Sequence, residues 1–133
     1  MVFFGEYHVS FTGNGRLVLP KKIRELLKGD VFILSKGYDQ CLTGYDKEEW
    51  EQRAQSVLGA SSLLEQENIS KKRFLFASTT YVEIDDQGRF VIPKGLLEFA
   101  HLAELKAVIV GVGDHFEIWD EKKWELYLKT FKA

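Results

Sequence analysis

A duplication runs through this chain and limits what it can fold into more than any other feature. Residues 11–26 read FTGNGRLVLPKKIREL, and residues 84–99 read IDDQGRFVIPKGLLEF. At an offset of 73, six of these sixteen positions are identical: Gly15/Gly88, Arg16/Arg89, Val18/Val91, Pro20/Pro93, Lys21/Lys94 and Glu25/Glu98. Background composition supplies about one such match. Leu17/Phe90, Leu19/Ile92 and Ile23/Leu96 are conservative pairs, and the match resumes downstream with Leu42/Phe116, Tyr45/Trp119, Asp46/Asp120 and Trp50/Trp124. A single copy of about 50 residues is marginal as an independent core, so the two copies are expected to share one.

Both copies follow one plan. Tyr7, Val9 and Phe11 alternate with polar residues over Glu6–Phe11, as in a half-buried strand. Gly13-Asn14-Gly15 is a turn, Arg16–Leu19 is extended, and Pro20 is placed at the first position of a helix over Lys21–Lys28 that Gly29 stops. Short strands follow at Val31–Leu34 and Cys41–Tyr45, and Asp46 caps a helix carrying Trp50. In the second copy Tyr81–Asp85 and Arg89–Ile92 are extended and Pro93 opens a helix. Val108–Gly111 and Phe116–Trp119 are strands, and Asp120 caps a last helix with Trp124. The stretch Glu51–Phe74 between the copies is helical in composition, anchored by Leu63, Leu64 and Ile69, with Gly59-Ala60-Ser61-Ser62 as its hinge. The expected architecture is α+β, mainly β with short helices. It has a first module over residues 1–52, a helical connector over 53–76 and a second module over 77–133, paired as a pseudo-symmetric unit.

Composition excludes several classes. No run approaches a membrane span, and the Met1–Glu6 start is unlike a signal peptide, so the chain reads as soluble and cytosolic. Its one cysteine, Cys41, is expected to be a plain core thiol. His8, His101 and His115 lack metal-ligand spacing, and there is no phosphate loop or nucleophile elbow. No catalytic residue, metal, cofactor or small-molecule substrate is therefore expected. Asp85-Asp86 reads as a charged turn rather than a cation site, and Trp50, Trp119 and Trp124 as core packing rather than a ligand cage.

Charge carries the functional signal once it is divided by copy. The whole chain has a net charge of −2. Over residues 11–29, Arg16, Lys21, Lys22, Arg24 and Lys28 against Glu25 leave +4. Over 84–102, Arg89 and Lys94 against Asp85, Asp86 and Glu98 leave −1. Arg89 has Asp85 four residues before it as a partner, whereas Arg16 has Thr12 at the matching place, leaving its guanidinium freer for a phosphate or a guanine edge. Lys21, Lys22 and Arg24 crowd the start of a helix, where the dipole disfavours cations unless an anion is bound. The first copy is thus the DNA-facing candidate. Gly15 and Arg16 lie on the turn, and Lys21, Lys22 and Arg24 hold phosphates. Arg89 is a further DNA-contact candidate, while Thr12, Asp85, Gly88, Pro20 and Pro93 are turn residues, and the second copy as a whole reads as the more structural partner.

The opening Gly5-Glu6-Tyr7, the doubled Gly-Arg-x-x-x-Pro core, the Gly44-Tyr45 strand end and the Phe116–Trp119 stretch resemble the MraZ family. The resemblance covers nearly the whole chain. It implies two SpoVT/AbrB-type swapped-hairpin modules and a DNA-binding transcriptional regulator, typically a repressor at the promoter of the division and cell-wall gene cluster. It also implies a ring-shaped homo-oligomer that binds repeated boxes of double-stranded DNA in the nucleoid. The family signature Asp-x-x-x-Arg stands in copy two as Asp85 and Arg89, while copy one has Thr12 in place of the acid. The family's first-copy arginine, the one most associated with DNA, falls on Arg16. The rival reading is a protein-interaction or antitoxin-like module on the same fold, against which stands the absence of an acidic tail.

Overall fold

The structure is a computed structural model and describes residues 1–60, 66–102 and 106–131. Copy one supplies β1 (Glu6–Ser10), β2 (Arg16–Val18), α1 (Lys21–Arg24), β3 (Val31–Lys36) and β4 (Leu42–Asp46). Two helices follow, α2 (Lys47–Ala60) and α3 (Gln66–Ser78). Copy two supplies β5 (Thr80–Glu83), β6 (Arg89–Val91), α4 (Lys94–Phe99), β7 (Lys106–Gly111), β8 (Phe116–Asp120) and α5 (Glu121–Thr130).

The copies exchange strands. Six strands form one antiparallel sheet in the order β1-β7-β8-β4-β3-β5, and β2 and β6 form a separate two-stranded ribbon. Reading the sheet from either edge gives the same arrangement with the copies interchanged, so a pseudo-twofold axis passes between β4 and β8 and through the ribbon. Each copy's first strand lies against the other copy: β1 pairs β7, with Tyr7 opposite Ile109, and β5 pairs β3, with Val82 opposite Phe32. The expected α+β fold of two tandem modules is what forms, and the shared core follows from this exchange.

Alternation along the strands builds that core. Phe3, Phe32 and Phe116 are fully buried; Phe116 meets Phe3 at 5.6 Å and Phe32 at 5.4 Å between ring centroids, and Phe32 meets Phe90 edge-on at 5.2 Å. Each such ring contributes about 1.5–3 kcal/mol by leaving water. Gly44, opposite Phe116 in the register, is required because the Phe116 ring lies directly on its α-carbon. Tyr7, Val9 and Phe11 are half-buried against this core, as their alternation predicted.

Several elements differ from the sequence expectation for local reasons. α1 is a single turn rather than a helix to Lys28, since the Lys28 amide is captured at 2.9 Å by the buried Asp46 carboxylate. Leu26 and Leu27 then bond back only three residues. Pro20 and Pro93 precede their helices as caps, with ψ of 141° and 146°, rather than occupying the first helical position. Asp46 and Asp120 do cap α2 and α5, accepting from the amides of Glu49 and Lys123. In the connector, Gly59 and Ala60 end α2, while Ser61, Ser62, Leu63 and Leu64 lie outside the described residues. No helix among the described residues is long and apolar enough to cross a membrane.

Candidate nucleic-acid interface

The ribbon concentrates the repeated motif at one place. Arg16 pairs Val91, Leu17 pairs Phe90 and Val18 pairs Arg89. Because side chains alternate along a strand, Leu17 and Phe90 turn inward and are buried, while Arg16, Val18, Arg89 and Val91 all face out. The two arginines therefore stand diagonally on one surface with two exposed valines between them. The Leu19 amide donates to the Gly88 carbonyl and the Ile92 amide to the Gly15 carbonyl, each at 2.8 Å, locking the ribbon to both turns.

Gly15 and Gly88 sit at φ of 74° and 81°, in the left-handed region that favours glycine. Beyond that, the two turns are built differently. Asp85 Oδ1 accepts from the Gln87 and Arg89 amides at 2.9 Å each, and Oδ2 accepts from Arg89 Nε at 2.6 Å. The Arg89 amide, with its guanidinium and the Gln87 amide behind it, holds the Asp85 carboxyl below the usual carboxylate range. In copy one only backbone bonds shape the turn, the Thr12 amide donating to Arg16 and the Arg16 amide to Gly13. Among the described residues the Thr12 side chain and the Arg16 guanidinium have no partner.

Strand exchange also redistributes the cations. The Arg24 guanidinium of α1 lies against Gly88 in the other copy's turn, and Lys94 of α4 lines the concavity beside Gly13, Asn14 and Gly15. The +4 surface of copy one is therefore not a separate face, because its helix sits at copy two's turn. Lys22 is exposed without a partner among the described residues, Lys21 approaches Glu25 at 3.9 Å, and Lys28 turns away to Glu48 at 3.4 Å. The dipole reasoning for Lys21, Lys22 and Arg24 does not hold, since one helical turn sums too few peptide dipoles to disfavour them.

Residues weighed for other chemistry are dispersed. His8 lies between Glu6 at 2.9 Å and Glu121 at 3.2 Å, and its pKa is raised, chiefly by Glu6. His115 lies between Asp114 and Glu117. Cys41 is buried with its Sγ donating to the Tyr38 carbonyl, and burial pushes its thiol far up. Trp119 is buried under Trp124 and Tyr127, and Trp50 meets Phe76 edge-on. Among the described residues no group of histidine, cysteine and acidic side chains is placed to hold a metal ion.

Two features of the surface went unnoticed in the sequence. Val18 and Val91 are identical between the copies yet exposed at 38% and 51%, and identity at an outward position was the available signal. Lys47 lines one open concavity of about 910 Å³ together with Arg16 and Arg89, and copy two has Glu121 at the matching position.

A family model described as "MraZ protein, putative antitoxin-like" matches residues 2–73 and 75–133. The chain belongs to the MraZ family. The protein named "Transcriptional regulator MraZ" from Acetivibrio thermocellus is 42% identical over 126 residues, covering 95% of this chain and 86% of that protein. Its namesake from Ligilactobacillus salivarius is also 42% identical, with the same coverage. The one from Roseiflexus castenholzii is 36% identical over 132 residues, 99% of this chain and 90% of that protein. Against the Asp-x-x-x-Arg signature that the MraZ resemblance implies in both copies, Thr12 is the departure, and the freed Arg16 is its visible structural correlate.

Proposed function

We propose that this chain is a sequence-specific, double-stranded DNA-binding transcriptional regulator acting as a repressor of the division and cell-wall gene cluster. It works in the cytoplasm at the nucleoid, as a ring-shaped homo-oligomer engaging repeated promoter boxes, and it catalyses no reaction. The observation that carries this reading is the ribbon, which presents Arg16 and Arg89 on one outward face with Val18 and Val91 between them. A two-stranded ribbon fits the major groove. There Arg16 reads a guanine edge, and the valines meet thymine methyls. Lys21, Lys22 and Arg24 hold phosphates and set register. Gly15 and Gly88 keep the turns tight, and Thr12, Asp85, Pro20 and Pro93 shape the hairpins. The relatives' name, transcriptional regulator, agrees with this reading.

A single ribbon makes few contacts, so affinity comes from several subunits on several boxes. The test is binding of promoter duplex by wild type, Arg16→Ala and Arg89→Ala across a salt series. Arg16→Ala is expected to cost about 1–3 kcal/mol and to flatten sequence preference. Wild-type affinity and salt slope in Arg16→Ala overturn the assignment. Size-exclusion with light scattering, with and without DNA, checks the assembly, and a strict monomer in both conditions refutes the multi-box mechanism.

The family's antitoxin-like description favours one second reading, a module that binds a toxin protein. A small toxin gene beside this one, and a stable complex with its product, would support that reading over the first.

A further inference from the structure

The concavity that holds both ribbon arginines extends beyond the ribbon, and its far wall is not part of the repeated motif. Lys47 stands there, with its Nζ 5.6 Å from the centroid of the Tyr81 ring. Tyr81 is 56% exposed on β5, although large aromatic rings are usually covered. Among the described residues the Lys47 ammonium has a loose ion-pair partner in Glu51, at 4.0 Å and with both side chains about half exposed. Exposed pairs at such a distance hold a cation weakly.

The pseudo-twofold axis supplies a control inside the molecule. The strand register puts His8 of β1 where Tyr81 lies in β5, since His8 faces Val108 and Tyr81 faces Ile33. The helix that follows begins with Glu121 in α5 and with Lys47 in α2. An acid at the first position suits a helix dipole, as in α5, and a lysine does not. α2 has fourteen residues, so unlike α1 it is long enough for that preference to count. One end of the molecule thus carries a closed Glu6–His8–Glu121 cluster, and the other a lysine on an exposed tyrosine, facing the same concavity as Arg16 and Arg89, in whose wall Glu83 and the Arg89-bound Asp85 also stand.

We propose that Lys47, steadied on the Tyr81 ring, binds a backbone phosphate of the duplex at this end of the ribbon. The contact has no equivalent at the Glu121 end. The proposal rests on the DNA-binding reading above and adds to it a phosphate contact and a polarity. A duplex laid across the pseudo-twofold axis meets Lys47 on one side and Glu121 at the equivalent position on the other, which makes the two directions of a box inequivalent. Lys47 contacts no base in this arrangement, so it contributes affinity and orientation without changing which sequence is preferred.

The experiment measures promoter-duplex affinity over a salt series for wild type, Lys47→Gln, Lys47→Arg and Arg16→Ala, with thermal unfolding as the fold control. Lys47→Gln is expected to bind about threefold to tenfold more weakly, with the log–log salt slope reduced by about one and sequence ranking unchanged. Lys47→Arg is expected to restore affinity and slope. If Lys47→Gln keeps wild-type affinity and slope while Arg16→Ala binds weakly, this inference fails and the DNA-binding reading stands. Weaker binding by Lys47→Gln with an unaltered slope also overturns it, because losing a phosphate contact must release fewer counterions. If neither variant differs from wild type, the Arg16 assignment beneath it fails as well.

Discussion

The two turns share a backbone and differ in what holds them. In copy two a carboxylate gathers both turn amides and the arginine, so Asp85 makes the hairpin rigid and takes up part of Arg89. In copy one Thr12 does neither, and among the described residues the Arg16 guanidinium has no partner. Copy two has the internally satisfied arrangement, and copy one leaves its arginine without an internal partner among the described residues. The difference leaves the Arg16 guanidinium open to solvent and to ligands, where Arg89 is partly engaged. Here it separates two arginines that share a motif and a strand position.

The comparison is broken most forcefully at the glycines. A side chain at Gly15 would meet Leu97 Cδ1 at 2.9 Å and the Ile92 carbonyl at 3.0 Å, whereas at Gly88 it would meet the movable Arg24 guanidinium and the Leu19 carbonyl at 3.4 Å. Both sites also have positive φ, so Gly→Ala at either is expected to cost about 1–3 kcal/mol, a fall of roughly 3–12 °C in Tm. Gly15→Ala is expected to be the worse of the two, because a backbone carbonyl cannot yield. Equal losses in thermal unfolding would show the two turns to be mechanically equivalent after all.

Exchanging the acid sharpens the comparison further. Thr12→Asp should raise Tm while weakening DNA binding, since the new carboxylate engages Arg16. Asp85→Thr should lower Tm. Its pH dependence identifies the cause: the Asp85 pKa is depressed in the folded state, so its stabilisation is present above the unfolded value near pH 4 and is lost as pH falls through the folded one. The wild-type advantage over Asp85→Thr should therefore shrink on acidification below about pH 4. A gap that stays constant to low pH would refute the carboxylate's role.

The smallest expected effect contrasts the two ends. His8 has a raised pKa, so its clasp between β1 and α5 stabilises fully below the unfolded value and fades as pH rises through the folded one. Wild type should lose a slight stability advantage over His8→Gln as pH rises above the unfolded histidine value of about 6.5, a change read by thermal melts. The other end carries Tyr81 where this one has His8, so Tyr81→Leu should show no such slope.

The duplication made most of the fold legible. Gly-Arg-x-x-x-Pro placed both turns, and period-2 alternation placed the strands, because these depend on neighbours in the chain. Strand partnership was not legible, since the Tyr7, Val9, Phe11 pattern reads the same whichever strand lies beside it. The length of α1 was set by Asp46, eighteen residues away, taking the Lys28 amide. At the site, Arg16 and Arg89 were visible as a repeated pair. Their common face, and the placing of Arg24 beside Gly88, depended on the exchange of strands that the repeat could not reveal.

The exchange has a consequence for how the protein is made. β2 gains its partner only when β6 has been synthesised, and β1 only when β7 has. A nascent chain that has delivered all of copy one holds Arg16 but no ribbon on which to present it. Translation must reach the second copy before this two-stranded face can form within the chain. Fusing both halves in one polypeptide also fixes their stoichiometry at one to one, whatever the expression level of the gene.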